Sequence, residues 1–197
     1  MEKGSKSPLL YTQAKRHRVV AGLSWDARED KVSFVGRIQG DTQHDLDISA
    51  FIYDHEGDFI DIVTAEATDA IDDSGAIYHS GDDQTGEGEG DDEHISVELA
   101  GLPDEIQSII FVIESRSAHT FGHIAEINAR IADGMSNSDL LKTDLNGEDG
   151  KDSIGYVFAR LYPDDGSESG WMLHFIDEYP NTDDVEEWGA YLKKYLD

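Results

Sequence analysis

The chain contains no cysteine. Disulfides and thiolate metal sites are therefore both absent, which excludes zinc-finger chemistry and leaves the compartment open on redox grounds. Missing too are any apolar run of about 18 residues that could cross a membrane as a helix and the apolar core of a secretory signal at the N-terminus. The chain reads as a soluble, cytoplasmic protein with no membrane insertion. It carries no nucleophile-elbow or phosphate-loop pattern. Positive charge is scarce as well: 15 Lys and Arg face 43 Asp and Glu, a net charge of −28. Such an anion is repelled by nucleic acid and by anionic membranes, which leaves cations and basic protein surfaces as partners and no direct contact with nucleic acid. With 197 residues and 38% apolar content, one domain can bury its own core without staples.

The deficit of cations is uneven. Within residues 1–20, Lys3, Lys6, Lys15, Arg16 and Arg18 stand against Glu2 alone. Residues 1–17 read as a basic leader, flexible as chain termini often are, ahead of one domain over residues 18–197.

Strand patterns dominate that domain. Arg18 to Trp25 reads as a strand, and the apolar run Val32 to Val35 as an added edge strand. From Asp45 to Tyr53 the period of two puts Leu46, Ile48, Ala50 and Ile52 on one face and Asp45, Asp47, Ser49, Phe51 and Tyr53 on the other. Asp45 and Asp47 thus share a face. A turn at His55 to Asp58 and a strand at Phe59 to Thr64 complete a hairpin. Further strands are expected at Ala76 to Ser80, Ile95 to Leu99, Ser108 to Glu114, His123 to Ala132 and Leu140 to Thr143, with a last hairpin between Gly155 and Ile176. A helix at 183–196 closes the chain: Val185, Trp188, Leu192 and Leu196 form an apolar stripe, and Asp183 with Glu186 makes a capping box. The expected fold class is all-β, a sandwich of mainly antiparallel strands with a C-terminal α-helix.

Between two of these strands, Asp82 to Glu93 packs seven carboxylates (Asp82, Asp83, Glu87, Glu89, Asp91, Asp92, Glu93) and three glycines into twelve positions. Charges this close repel, and glycine adds backbone freedom that ordering must remove. The segment therefore orders around a cation or remains a solvated acidic loop, and composition leaves both open. Calcium, which takes roughly six to eight oxygens, suits carboxylates and inward-turned carbonyls. The spacing is not that of an EF-hand, because Glu87 stands where that motif needs glycine and the flanks are strands. His79 and His94 bracket the loop and raise a softer metal or a general base. Calcium's preference for oxygen favours instead a role in orienting the loop. Trp25, Trp171 and Trp188 lie in apolar strands or stripes and read as core.

Gly22-Leu23-Ser24-Trp25-Asp26, then Asp45-Leu46-Asp47-Ile48-Ser49-Ala50-Phe51, then His79 to Glu93, followed by Leu102-Pro103 and Thr120-Phe121-Gly122-His123 leading to Ala129-Arg130-Ile131, resemble in order the motifs of the TerD family of tellurite-resistance and stress-response proteins. The resemblance runs from about residue 18 to the final helix. It implies a β-sandwich holding calcium, two ions, at one end. The ligands it implies are Asp45, Asp47, Asp82, Asp83, Asp91, Asp92 and Glu93, with carbonyls near Gly86 and Gly88, and Asp26 beside Trp25 as a further candidate. Two departures stand out: Asp83 occupies a position where family members usually have asparagine, and the basic leader replaces the family's opening strand.

The function expected is that of a non-enzymatic calcium-binding stress-response protein in which the ions shape an acidic surface for a protein partner. Two alternatives come from other classes. An acidic mimic would occupy a nucleic-acid-binding surface by charge alone, and a metal-dependent hydrolase would keep an open coordination position.

Overall fold

A computed structural model describes residues 1–9, 17–26, 43–87, 89–167 and 169–197. Their strands are β1 (Lys6–Pro8), β2 (Arg18–Ser24), β3 (Leu46–Tyr53), β4 (Phe59–Val63), β5 (Ile77–His79), β6 (Glu93–Glu98), β7 (Ser108–Ser115), β8 (Asn128–Asp133), β9 (Asp139–Asp144), β10 (Gly155–Pro163) and β11 (Trp171–Glu178). They form two sheets, ordered β1-β11-β10-β7-β3-β4 and β5-β6-β2-β8-β9. The architecture is the expected antiparallel sandwich.

β3 shows how the sequence pattern builds it. Leu46, Ile48, Ala50 and Ile52 face the main core between the sheets, with Ile95, Val97 and Ile131. On the other face Phe51 and Tyr53 enter a second, smaller core with Ile110, Val112, Ile176 and Leu192. The strand is buried along its whole length for that reason.

The cover over this second core is the chain's end, and it is less helical than the apolar stripe suggests. A 3₁₀ turn at Thr182–Asp184 precedes α1 (Trp188–Tyr191), and a second 3₁₀ turn follows at Leu192–Tyr195. The capping box does not form: residue 187 takes the N-cap position without a side-chain cap. Free helices shorter than about 12–15 residues are marginal, so contacts with the sheet decide the shape. Trp188, Leu192 and Leu196 pack on the sheet. Tyr53 Oη donates to Gly189 O at 3.0 Å, Trp188 Nε1 to Glu114 Oε1 at 2.9 Å, and Arg160 Nη1 to Tyr195 O at 2.7 Å.

Two other expectations change, and a third is not tested. The leader contributes a strand: β1 pairs along β11, and Leu9 is 1% exposed in the core. A three-residue pairing and one buried leucine are too short a pattern to stand out in a segment so rich in cations. The strand expected from His123 begins only at Asn128, because Glu126 adopts φ 49° and Ile127 N donates to the Asn146 side chain at 2.7 Å. Alternation alone does not reveal such a break. The edge strand at Val32 to Val35 lies outside the described residues.

Candidate metal centre

Strand ends converge at one end of the sandwich. Leu23 of β2 is opposite Glu93 of β6, Ser24 is opposite Asn128 of β8, and Leu46 of β3 is opposite Ser115 of β7. Trp25, Asp45, the acidic loop and Arg116 all issue from these ends.

There, Asp45, Asp47 and Asp82 offer carboxylate oxygens that lie within 4.8 Å of one another. They line a cleft of about 200 Å³ with Glu66, Gln84 and Arg116. Asp47 accepts a hydrogen bond from Arg116 Nε. Asp45 Oδ1 is buried and accepts none. Burial first, then the charges of Asp47, Asp82 and Glu93, push the Asp45 carboxyl up to about 6, against the pull of Arg116. An oxygen so placed costs the fold roughly 1–3 kcal/mol unless a donor or cation meets it. The donor set is oxygen alone, which fits a hard cation such as calcium.

Glu93 braces the cluster from behind. Its side chain is fully buried, and Oε2 accepts from Ile48 N in the opposite sheet at 3.2 Å while Oε1 accepts from Asp83 N at 3.1 Å. His79 Nδ1 accepts from Gly81 N at 3.0 Å, and its Nε2 lies 3.3 Å from Glu93 Oε2, outside hydrogen-bond geometry. Burial pushes the Glu93 carboxyl up; His79 and the Asp83 amide oppose the shift without cancelling it. Glu93 therefore fastens two sheets and the acidic loop at one point.

The loop itself is folded by Asp83. Its Oδ1 accepts from Thr85 N, Thr85 Oγ1 and Gly86 N at 2.8, 2.9 and 3.0 Å. Partial burial raises the Asp83 carboxyl, but these donors prevail and its pKa falls below the ordinary value. The turn delivers Gly86, at φ +62°, onto Trp25, where a Cβ would come within 2.5 Å of the indole Nε1. Gly86→Ala is expected to lift the loop from Trp25 and to cost about 1–3 kcal/mol through strain and contact. Urea unfolding followed by tryptophan fluorescence measures this; a midpoint equal to that of the parent chain would refute the close approach.

The TerD domain model matches residues 1–181. The chain belongs to the TerD family. Among its relatives, general stress protein 16U of Bacillus subtilis is 34% identical over 177 residues, 84% of each chain. The tellurium resistance protein TerD of an Alcaligenes species is 30% identical over 178 residues, 85% of this chain and 84% of that one. A crystal structure of a Streptomyces coelicolor homologue of telluride resistance protein TerD superposes with a TM-score of 0.64 at 22% identity, covering 84% of this chain and 90% of that one, and so shares the fold.

Within this TerD domain the remaining candidates are dispersed. Both Asp91 oxygens are taken by Arg130, through Nε at 2.7 Å and Nη2 at 2.8 Å, a planar two-bond pairing. That carboxylate crosses β2 at Gly22, where a Cβ would sit 2.4 Å from it. Asp92 accepts from Trp25 N at 2.9 Å, and its carboxyl is raised by burial and by the charges of Asp83, Asp91 and the exposed Asp26. Gly88 lies outside the described residues. His94 is partly buried, which holds its imidazole below the ordinary value. Trp25 is core, and Trp171 and Trp188 pack against the two cores. A second acidic group at the β3–β4 turn, Asp54, Glu56 and Asp58, is folded on itself: Asp54 Oδ1 accepts from Glu56 N and Asp58 N, and Lys193 pairs with Asp58. Sequence reasoning missed Arg116 and Arg130. Nothing local in the sequence signals that either arginine meets a carboxylate so distant in the chain.

Proposed function

We propose that this TerD-family chain is a non-enzymatic, calcium-binding stress-response protein of the tellurite-resistance type, acting in the cytoplasm, in which calcium shapes an acidic surface for a protein partner. The observation that carries the proposal is the buried, unmet Asp45 Oδ1 among the carboxylates of Asp47 and Asp82. The family and the relatives named for stress and tellurium resistance support the biological setting. No helix among the described residues is long and apolar enough to cross a membrane.

Asp45, Asp47 and Asp82 would hold one ion, and Asp92, with the carboxylates of Asp83, Asp91 and Asp26 acting on it, would be the candidate for a second. Bound calcium would supply positive charge beyond the single guanidinium that Arg116 brings to the cleft. Glu93 and Asp83, each committed to backbone amides, hold the loop in place for this.

Calorimetric titration of the full chain with calcium and with magnesium tests the proposal, with calcium expected to bind more tightly and at more than one site. The pH response has a fixed sign. Folded Asp45 keeps its proton up to about 6, so calcium must displace that proton at lower pH and affinity should fall between about pH 7.5 and pH 5. The absence of calcium binding at neutral pH would refute the proposal, and an affinity rising toward low pH would remove Asp45 from the site.

A further inference from the structure

A positive charge already stands in the candidate calcium cleft. Arg116 follows β7, and its backbone N donates to Asp45 O at 2.9 Å, which pins it to the strand end that carries the site. Its Nε is bonded to Asp47 Oδ2. The two partners are held very differently: the Asp47 side chain is 9% exposed and the Arg116 side chain 48%. The carboxylate is fixed, and the guanidinium is the part able to leave.

We propose that Arg116 is a tethered counter-ion that competes with calcium for Asp47 and so sets how much calcium the site requires. The proposal rests on the calcium reading of the Asp45, Asp47 and Asp82 cluster. A guanidinium does not lose its proton under ordinary conditions, so it can yield the carboxylate only by moving. Glu66 lines the same cleft, and its charge and that of Glu114 already act on Arg116, which gives the side chain somewhere to go. With no ion bound, the guanidinium offsets part of the repulsion among three carboxylates. Once a divalent ion shares the cleft, the same charge repels it across a few ångströms. Removing the charge should therefore act in opposite directions on the two states, weakening the ion-free fold and tightening calcium binding. A side chain that served only to pack the site would do the first and not the second.

The test is calorimetric titration of the full chain with calcium, alongside Arg116→Gln, which keeps polar contact and loses charge, and Arg116→Lys, which keeps the charge. Arg116→Gln is expected to lower the calcium Kd about tenfold, equivalent to about 1.4 kcal/mol, and to lower the melting midpoint only without calcium. Arg116→Lys should stay close to the parent in both. Equal or weaker calcium binding by Arg116→Gln would overturn the role of Arg116 and leave the calcium reading standing. Parent and variant both failing to bind calcium would overturn the two together. Should Arg116→Gln not fold, the nitrogen resonance of Arg116 Nε in the parent chain decides: it is expected to shift as calcium is added, and a resonance that stays put while calcium binds overturns the proposal.

Discussion

Glu93→Ala is expected to destabilise the protein by about 3 kcal/mol, the largest loss among the acidic residues of the loop. The side chain is fully buried, and its two oxygens take amides from β3 and from the acidic loop. Leaving each amide without an acceptor costs roughly 1–3 kcal/mol, and the vacated volume adds to it. Glu93→Gln keeps one carbonyl oxygen, so it should fall between the parent and the alanine variant. Urea unfolding followed by fluorescence and circular dichroism gives the number. A loss under about 0.5 kcal/mol would match an ordinary surface change and would mean that the brace does not hold the loop. The same variant should bind calcium poorly, since the loop that carries Asp82 loses its anchor.

Asp45→Asn should have two effects of opposite sign. Because burial and neighbouring carboxylates raise the Asp45 pKa from 3.8 to about 6, the folded chain binds that proton more tightly than the unfolded chain. Stability from this group is full below the unfolded value and is lost as pH rises toward about 6. At neutral pH the charged form is a burden that asparagine removes, so the ion-free variant should melt higher than the parent. Calcium should then do little for it. In the parent, calcium at about a hundred times its Kd should add about 2.7 kcal/mol per site. Thermal melts of both proteins with calcium and with chelator check this. A variant that melts lower without calcium yet keeps the full calcium response would contradict the assignment of Asp45.

Much of this was legible where one physical signal decided the outcome. The alternation in β3 told both of its faces, because a strand between two cores must present apolar side chains on each. The acidic loop declared itself by charge density, and the Asp45 and Asp47 pair by period. The brace was harder to see. Glu93 looks like one more loop carboxylate, and only the sandwich, which brings Ile48 of the facing sheet against it, makes it a strut. Asp91 likewise meets Arg130 across 39 positions of sequence, a pairing that no local pattern encodes. β1 and the shortness of the terminal helix were illegible for a related reason. Each element is held by its contacts with the sheet, through Leu9 in one case and Tyr53 and Arg160 in the other, rather than by its own propensity.

The outer strands of the two sheets bear on how the protein behaves in a crowd. Calcium bound as proposed would offset part of the −28 charge that keeps copies apart, and a sandwich with open edges could then polymerise strand to strand. Its described edges are poorly suited to that. β1 and β5 span three residues each, and β1 ends in Pro8, which has no amide to donate. β4 is bulged against β3 and carries Asp61 at its centre, while β9 is bulged against β8 and carries Asp139, Lys142 and Asp144. Protection from strand-to-strand assembly thus has a source other than like-charge repulsion: described edges too short, too kinked or too polar to template a neighbour.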